Sequence, residues 1–181
     1  MSGEGELAGH EQRLERLLHE LGGILFRRER LLDRERRTRN RVRMEQITEE
    51  ARHPFAQLDR ETLVRELERE LGYQRLREQE LQERLQLARL RSRKQDEILQ
   101  EISRHLPPGR ESPLLEDLHA RTRRREELLA NLPERPPFPQ ETTRRLEELE
   151  DHQKHLDDLL YRLAERHLLA LHHGQTPDEG H

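Results

Sequence analysis

Residues 64–106 repeat an apolar pattern every seven positions. The a and d places fall on Val64, Leu67, Leu71, Gln74, Glu78, Leu81, Leu85, Ala88, Ser92, Gln95, Leu99, Ile102 and Leu106. A seam only two positions in seven wide is too narrow to cover a globular core, so it calls for a second helix laid along it. At a rise of ~1.5 Å per residue, the uninterrupted pattern from Asp59 to Leu106 spans about 70 Å.

The partner is supplied nearby in the chain. From Glu6 toward Arg52 runs a second helical pattern, with Leu7, Leu14, Leu17, Leu18, Leu21, Ile24, Leu25, Leu31 and Leu32 on a stripe of a, d and e positions. That stripe is wide enough to meet two neighbours. Gly22 and Gly23 interrupt it at about 1 kcal/mol each relative to Ala, which predicts a kink, a close backbone approach, or simply a weak spot. His53-Pro54 ends the first pattern, and Leu58, Asp59 and Leu63 fit a staple around an Asp N-cap that opens the next.

Two helices of similar length joined by a short connection predict an antiparallel hairpin, with facing residues whose numbers total 112 or 113. In that register Leu14 meets Leu99, Leu31 meets Leu81, Val42 meets Leu71, Thr38 meets Gln74 and Glu35 meets Glu78. The rival is a parallel homodimer through the second helix, with Gln74 and Gln95 setting register.

Proline marks the remaining boundaries. Pro107-Pro108-Gly109 stops the second helix, Ser112-Pro113 starts a short third one, and the run Pro136-Pro137-Phe138-Pro139 reads as an extended, stiff spacer. Thr142 or Thr143 is expected to cap a fourth helix, with Leu146, Leu149, Leu156, Leu160 and Leu163 on its seam and Gly174 at its end. The expected organisation is a disordered N-terminus (1–5), a helical hairpin (6–106) broken near 53–58, and a linker (107–112). A short helix (113–132), a Pro-rich linker (133–141), a C-terminal helix (142–173) and a disordered tail (174–181) follow. The fold class is all-α, an elongated coiled-coil hairpin plus two shorter helices with no β-sheet. Composition agrees: 30% of the 181 residues are hydrophobic, 40% charged and 3% aromatic, with only two Val and four Ile against abundant Leu, Glu and Arg.

The same features narrow the function. There is no cysteine, hence no disulfide, thiol nucleophile or thiolate metal site. Nine scattered glycines build neither a phosphate-cradling loop nor a dinucleotide fingerprint, and four serines lack a nucleophile-elbow setting. No catalytic residue, cofactor site or small-molecule substrate is expected, and the chain reads as a non-enzyme. Histidines are plentiful, in Glu50/His53, Glu116/His119, His152/His155 and His172/His173, but none of these sets reaches the four ligands of a structural site, so no metal is expected. Leu14 to Leu18 and Leu156 to Leu160 spell LxxLL, a docking motif that a Leu-rich heptad also produces unaided. The stretch Gly22 to Leu32, with Ile24, Leu25 and Phe26 among arginines, could lie on an anionic membrane, though burial against a helix is the simpler account. The longest apolar run is four residues, Leu168 to Leu171, so no membrane span is expected.

Net charge is only −4, but the basic residues cluster. Arg34, Arg36, Arg37, Arg39, Arg41 and Arg43 stand against the single acid Glu35, a set of candidate phosphate contacts without interleaved aromatics for base stacking. The acidic stretch 141–158 could neutralise them instead. Arg121, Arg123, Arg124 and Arg125 could serve as a localisation signal. The N-terminus lacks the pattern of a signal or transit peptide, which predicts a cytoplasmic or nuclear location without secretion. The expectation is a scaffold or adaptor subunit of a larger intracellular assembly, pairing with other coiled-coil proteins or with itself. Its helix-pairing seam comprises Leu14, Leu21, Leu31, Leu67, Leu71, Leu81, Leu85, Leu99, Ile102, Leu156, Leu160 and Leu163. The alternative is a nucleic-acid-associated subunit that uses residues 34–43.

Overall fold

A computed structural model describes residues 2–52, 60–106 and 113–173. Among these the chain forms four α-helices and no strand: α1 (Ser2–Arg52), α2 (Arg60–Arg104), α3 (Pro113–Ala130) and α4 (Thr142–His172). The fold is all-α. Helix α1 starts at Ser2, earlier than Glu6, and runs unbroken through Gly22 and Gly23. Both glycines are exposed, and a Cβ on either would meet nothing within 4 Å, so no close backbone approach accounts for them. The proposed break at 53–58, the Asp59 and Ser112 caps, the Gly174 end and the tail lie outside the described residues.

Contacts between α1 and α2 run in opposite directions. His10 meets Glu101, Glu20 meets Lys94, Arg34 meets Glu83, Glu45 meets Tyr73 and Glu49 meets Arg69. The totals climb from 111 for the first pair to 118 for the fourth and fifth, so the single register of 112 or 113 does not hold along the whole length. Glu35 accordingly lies 3.5 Å from Arg84 instead of opposite a second carboxylate at Glu78. The Thr38 hydroxyl turns back to donate to the Arg34 carbonyl at 3.0 Å.

Only part of this pair is covered by the other helices. Helices α3 and α4 pack against the first half of α1 and the second half of α2, making a four-helix bundle with two apolar clusters. One gathers Leu14, Leu17 and Leu21 of α1, Ile98, Leu99 and Ile102 of α2, Leu115 and Leu118 of α3, and Leu156, Leu160 and Leu163 of α4. The other joins Leu85 and Ala88 to Leu128, Leu132, Leu146 and Leu149. The LxxLL leucines 14, 17 and 156, 160 are therefore interior residues of this chain.

The segment between α3 and α4 turns instead of standing out as a spacer. Phe138 packs on the second cluster, and the Pro136–Pro137 peptide is cis. Helix α4 starts at Thr142, whose amide donates to the Pro139 carbonyl at 3.0 Å. The N-cap position falls on Glu141, not on Thr142 or Thr143; Thr142 is buried, while the Glu141 carboxylate accepts from Arg145 at 2.9 Å and caps nothing.

Candidate functional site

Between the two apolar clusters lies a polar layer made by the heptad interruptions of α2. Gln95 donates from Nε2 to the Gln153 carbonyl at 2.9 Å and to Asp157 Oδ1 at 2.6 Å. Its Oε1 accepts from Arg125 Nη1 at 3.0 Å. Gln153 in turn donates to the Ala88 carbonyl at 2.7 Å and to Ser92 Oγ at 2.8 Å. Arg91 closes the layer on Asp157. Ser92 and Gln95 interrupt the apolar spacing of α2 where their polar groups meet Gln153 and Asp157 of α4 and Arg125 of α3.

A second buried set marks where α4 leaves the α1–α2 pair. Glu150 accepts from Arg28 Nε at 2.6 Å and from Arg84, and Arg84 also faces Glu35. Burial lifts the Glu35 carboxyl above its ordinary pKa against the opposing charge of Arg84. Burial also raises Glu80, with Arg34 opposing, and Glu80 Oε1 has no hydrogen-bond partner among the described residues. Asp157 is likewise raised by burial, with Arg91 opposing.

Beyond this boundary the two long helices continue alone, and their seam is open. Met44 is 62% exposed, Leu67 57% and Leu71 52%, with Ile47, Leu63 and Val64 similarly uncovered. We call residues 36–49 and 60–79 the arm. Of the seam residues expected to pair helices, Leu14, Leu21, Leu31, Leu85, Leu99, Ile102, Leu156, Leu160 and Leu163 are buried, and Leu81 packs on the second cluster. Leu67 and Leu71 are not covered, because α3 and α4 end before reaching them.

The arginines are divided between the two regions. Arg34 pairs with Glu83, Arg36 with Asp33 and Arg39 with Glu35, whereas Arg37, Arg41 and Arg43 form no salt bridge among the described residues. Of the acids in the stretch 141–158, Glu141, Glu148, Glu150 and Asp157 are engaged elsewhere, with Arg145, with Arg124, with Arg28 and Arg84, and with Arg91. A shallow groove of about 610 Å³ between α1 and α2 is lined by four arginines, Arg27, Arg30, Arg34 and Arg37, and by two acids, Asp33 and Glu83. Arg125, grouped above with a basic signal, is almost wholly buried and bound to Gln95 and Asp96.

Comparison with protein-family models, curated proteins and solved structures finds no match. The site is therefore read from its own geometry.

Histidine placement also departs from the sequence pairs. Glu116 and His119 are exposed, His152 Nε2 bonds the Arg121 carbonyl at 2.9 Å, and His172 meets Glu11 at 2.7 Å. The Glu50/His53 pair lies outside the described residues. At the end of the bundle opposite the arm, however, His10, Glu101, His105 and His167 come together from three helical segments. Of these, only the four-residue spacing of Glu101 and His105 is a visible sequence signal. His10 and His167 are 157 positions apart, and no local pattern links them.

Proposed function

We propose that this protein is a helical scaffold or adaptor, with the α1–α2 pair acting as a coiled-coil hairpin whose arm docks a helix of a partner protein. The observation that carries this reading is the exposed run Met44, Ile47, Leu63, Val64, Leu67 and Leu71, which continues the seam past the point where the chain's own helices stop covering it. Such a stripe on paired helices suits an amphipathic helix laid along it with aliphatic residues at heptad spacing. Charge narrows the partner. Residues 36–49 and 60–79 hold ten arginines against seven glutamates, so acidic flanks on the incoming helix complement the arm. No described helix is long and apolar enough to cross a membrane.

The test is recovery of the tagged full chain from its cells in moderate salt, with and without nuclease, beside a Leu67→Asp/Leu71→Asp variant. A fixed set of nuclease-resistant proteins, lost from the variant while its helicity and melting stay the same, supports the docking arm. An unchanged set from the variant overturns it. Sedimentation of the pure protein separates a foreign partner from a second copy of the chain.

One observation favours a second reading. Arg37 combines a place in the basic groove with the absence of a salt bridge, and Arg41 and Arg43 extend the same unpaired charge along the arm. Phosphates would be held there by counterion release, without base readout. A salt-sensitive complex with RNA or DNA that disappears on replacing Arg37, Arg41 and Arg43 favours this alternative.

A further inference from the structure

The end of the bundle opposite the arm concentrates metal-ligand chemistry in an otherwise leucine-rich interior. His10 of α1 is fully buried and donates from Nδ1 to Glu101 Oε1 of α2 at 2.8 Å. One turn further along, His105 brings its ring to 3.7 Å from that of His10, centroid to centroid. One donor atom from each of His10, Glu101 and His105 lies within 4.8 Å of the others. On its far side, His10 Nε2 is 2.7 Å from Nε2 of the buried His167 of α4.

We propose that His10, Glu101 and His105 bind a divalent transition-metal ion, with zinc the best match, and that His167 orients His10 for it. Two imidazoles and a carboxylate form a nitrogen-oxygen set suited to zinc, and three protein ligands leave a fourth position for water or an exogenous group. Metal–ligand bonds of ~2.0–2.2 Å place tetrahedral neighbours roughly 3.4 Å apart, so His10 Nδ1 and Glu101 Oε1, now at 2.8 Å, open slightly while the wider spacings, up to 4.8 Å, close, within reach of side-chain rotation. The outer contact has the arrangement that histidine ligands favour: with Nδ1 on the metal, His10 donates its Nε2–H to a fixed acceptor. His167 Nε2, buried on α4 at 2.7 Å, is placed to accept it.

Arginines oppose the ion. Arg13 Nε donates to the same Glu101 Oε1 at 2.9 Å, and Arg104 stands 3.8 Å from Oε2. Against the burial that opposes its charge, hydrogen bonds from His10 and Arg13 hold the Glu101 pKa below the ordinary value. Arg13 is half exposed and can swing into solvent. Its removal therefore frees a carboxylate lone pair and strengthens binding, an effect opposite to that of deleting a ligand.

The experiment is calorimetric titration of the chelator-treated full chain with Zn2+, with Co2+ absorption reporting coordination geometry. The expected result is one equivalent per chain, a tetrahedral cobalt spectrum, and a melting temperature that rises with zinc concentration. His105→Gln, at a half-buried position, weakens binding at least tenfold without lowering the metal-free melting temperature. Arg13→Ala tightens it, and His172→Ala/His173→Ala leaves it unchanged. Failure to bind one equivalent, binding indifferent to His105→Gln, or binding lost only with His172 and His173 overturns the assignment.

Discussion

Arg91 of α2 donates from Nε at 3.0 Å to Oδ2 of Asp157 on α4, with both side chains buried. Its Nη2 reaches the same oxygen. A charge pair of this kind is costly to break and of little net value to keep. Asp157→Ala strands the Arg91 guanidinium and should cost about 3–5 kcal/mol, whereas the joint change Arg91→Leu/Asp157→Leu should be near neutral or stabilising. Urea denaturation of the single and joint variants measures the difference. A joint variant as unstable as the single one would show that the layer, with Gln95 also bound to Asp157, acts as a unit.

Apolar positions should divide sharply along the length of the molecule. Leu14→Ala, Leu149→Ala and Leu160→Ala remove fully or nearly fully buried side chains and should each cost about 2–5 kcal/mol. Leu67→Ala, on the arm, should change stability by less than about 0.5 kcal/mol in the isolated chain. Thermal or chemical melts monitored by circular dichroism decide it. A large loss at Leu67 would mean that this residue is covered in solution.

The glycine pair in α1 offers a gain of stability. Gly22 and Gly23 are exposed and helical, with open space where a Cβ would go. Alanine at each should add roughly 0.5–1 kcal/mol, mainly by restricting the unfolded chain. Stabilisation in denaturant melts is the expected reading, and a loss would show that the helix bends there.

Glu80 carries a testable pH dependence. Burial raises its pKa, so its ionised form weakens the folded state above that raised value and the effect is absent below the ordinary value of 4.5. Glu80→Gln should therefore stabilise the protein by about 1 kcal/mol at pH 7. The advantage should shrink as pH falls through the raised pKa and vanish below pH 4.5. Melting curves of both proteins across pH 4 to 8 test the sign.

The helices were legible because their signals are local. Leucine spacing identified the long patterns, and Pro113 correctly marked a start. The interruptions at Ser92 and Gln95 were visible too, but their meaning was not: the groups that satisfy them, Gln153, Asp157 and Arg125, come from 30 to 62 residues away. Arg125 looked like one of a solvated run, since nothing in its neighbourhood announces that a buried glutamine on another helix accepts its hydrogen bond. The drift of the register was hidden for a related reason: Arg84, which faces Glu35, is shared with Glu150 of α4, a partner that no local pattern reveals. The exposure of Leu67 and Leu71 depends on where other helices end. A heptad says that a residue seeks a neighbour without saying whether the chain itself supplies one.

Because α1 is continuous over 51 residues, the two ends of the molecule share one helical phase. His10 and Ile47 lie on the same rod, separated by roughly 55 Å at ~1.5 Å per residue. Each added residue would advance the arm by that step and turn it by about 100°, so three or four added residues restore its facing and lengthen it by about 5 Å. The bundle thereby sets both the distance and the compass direction at which anything held by the arm is presented.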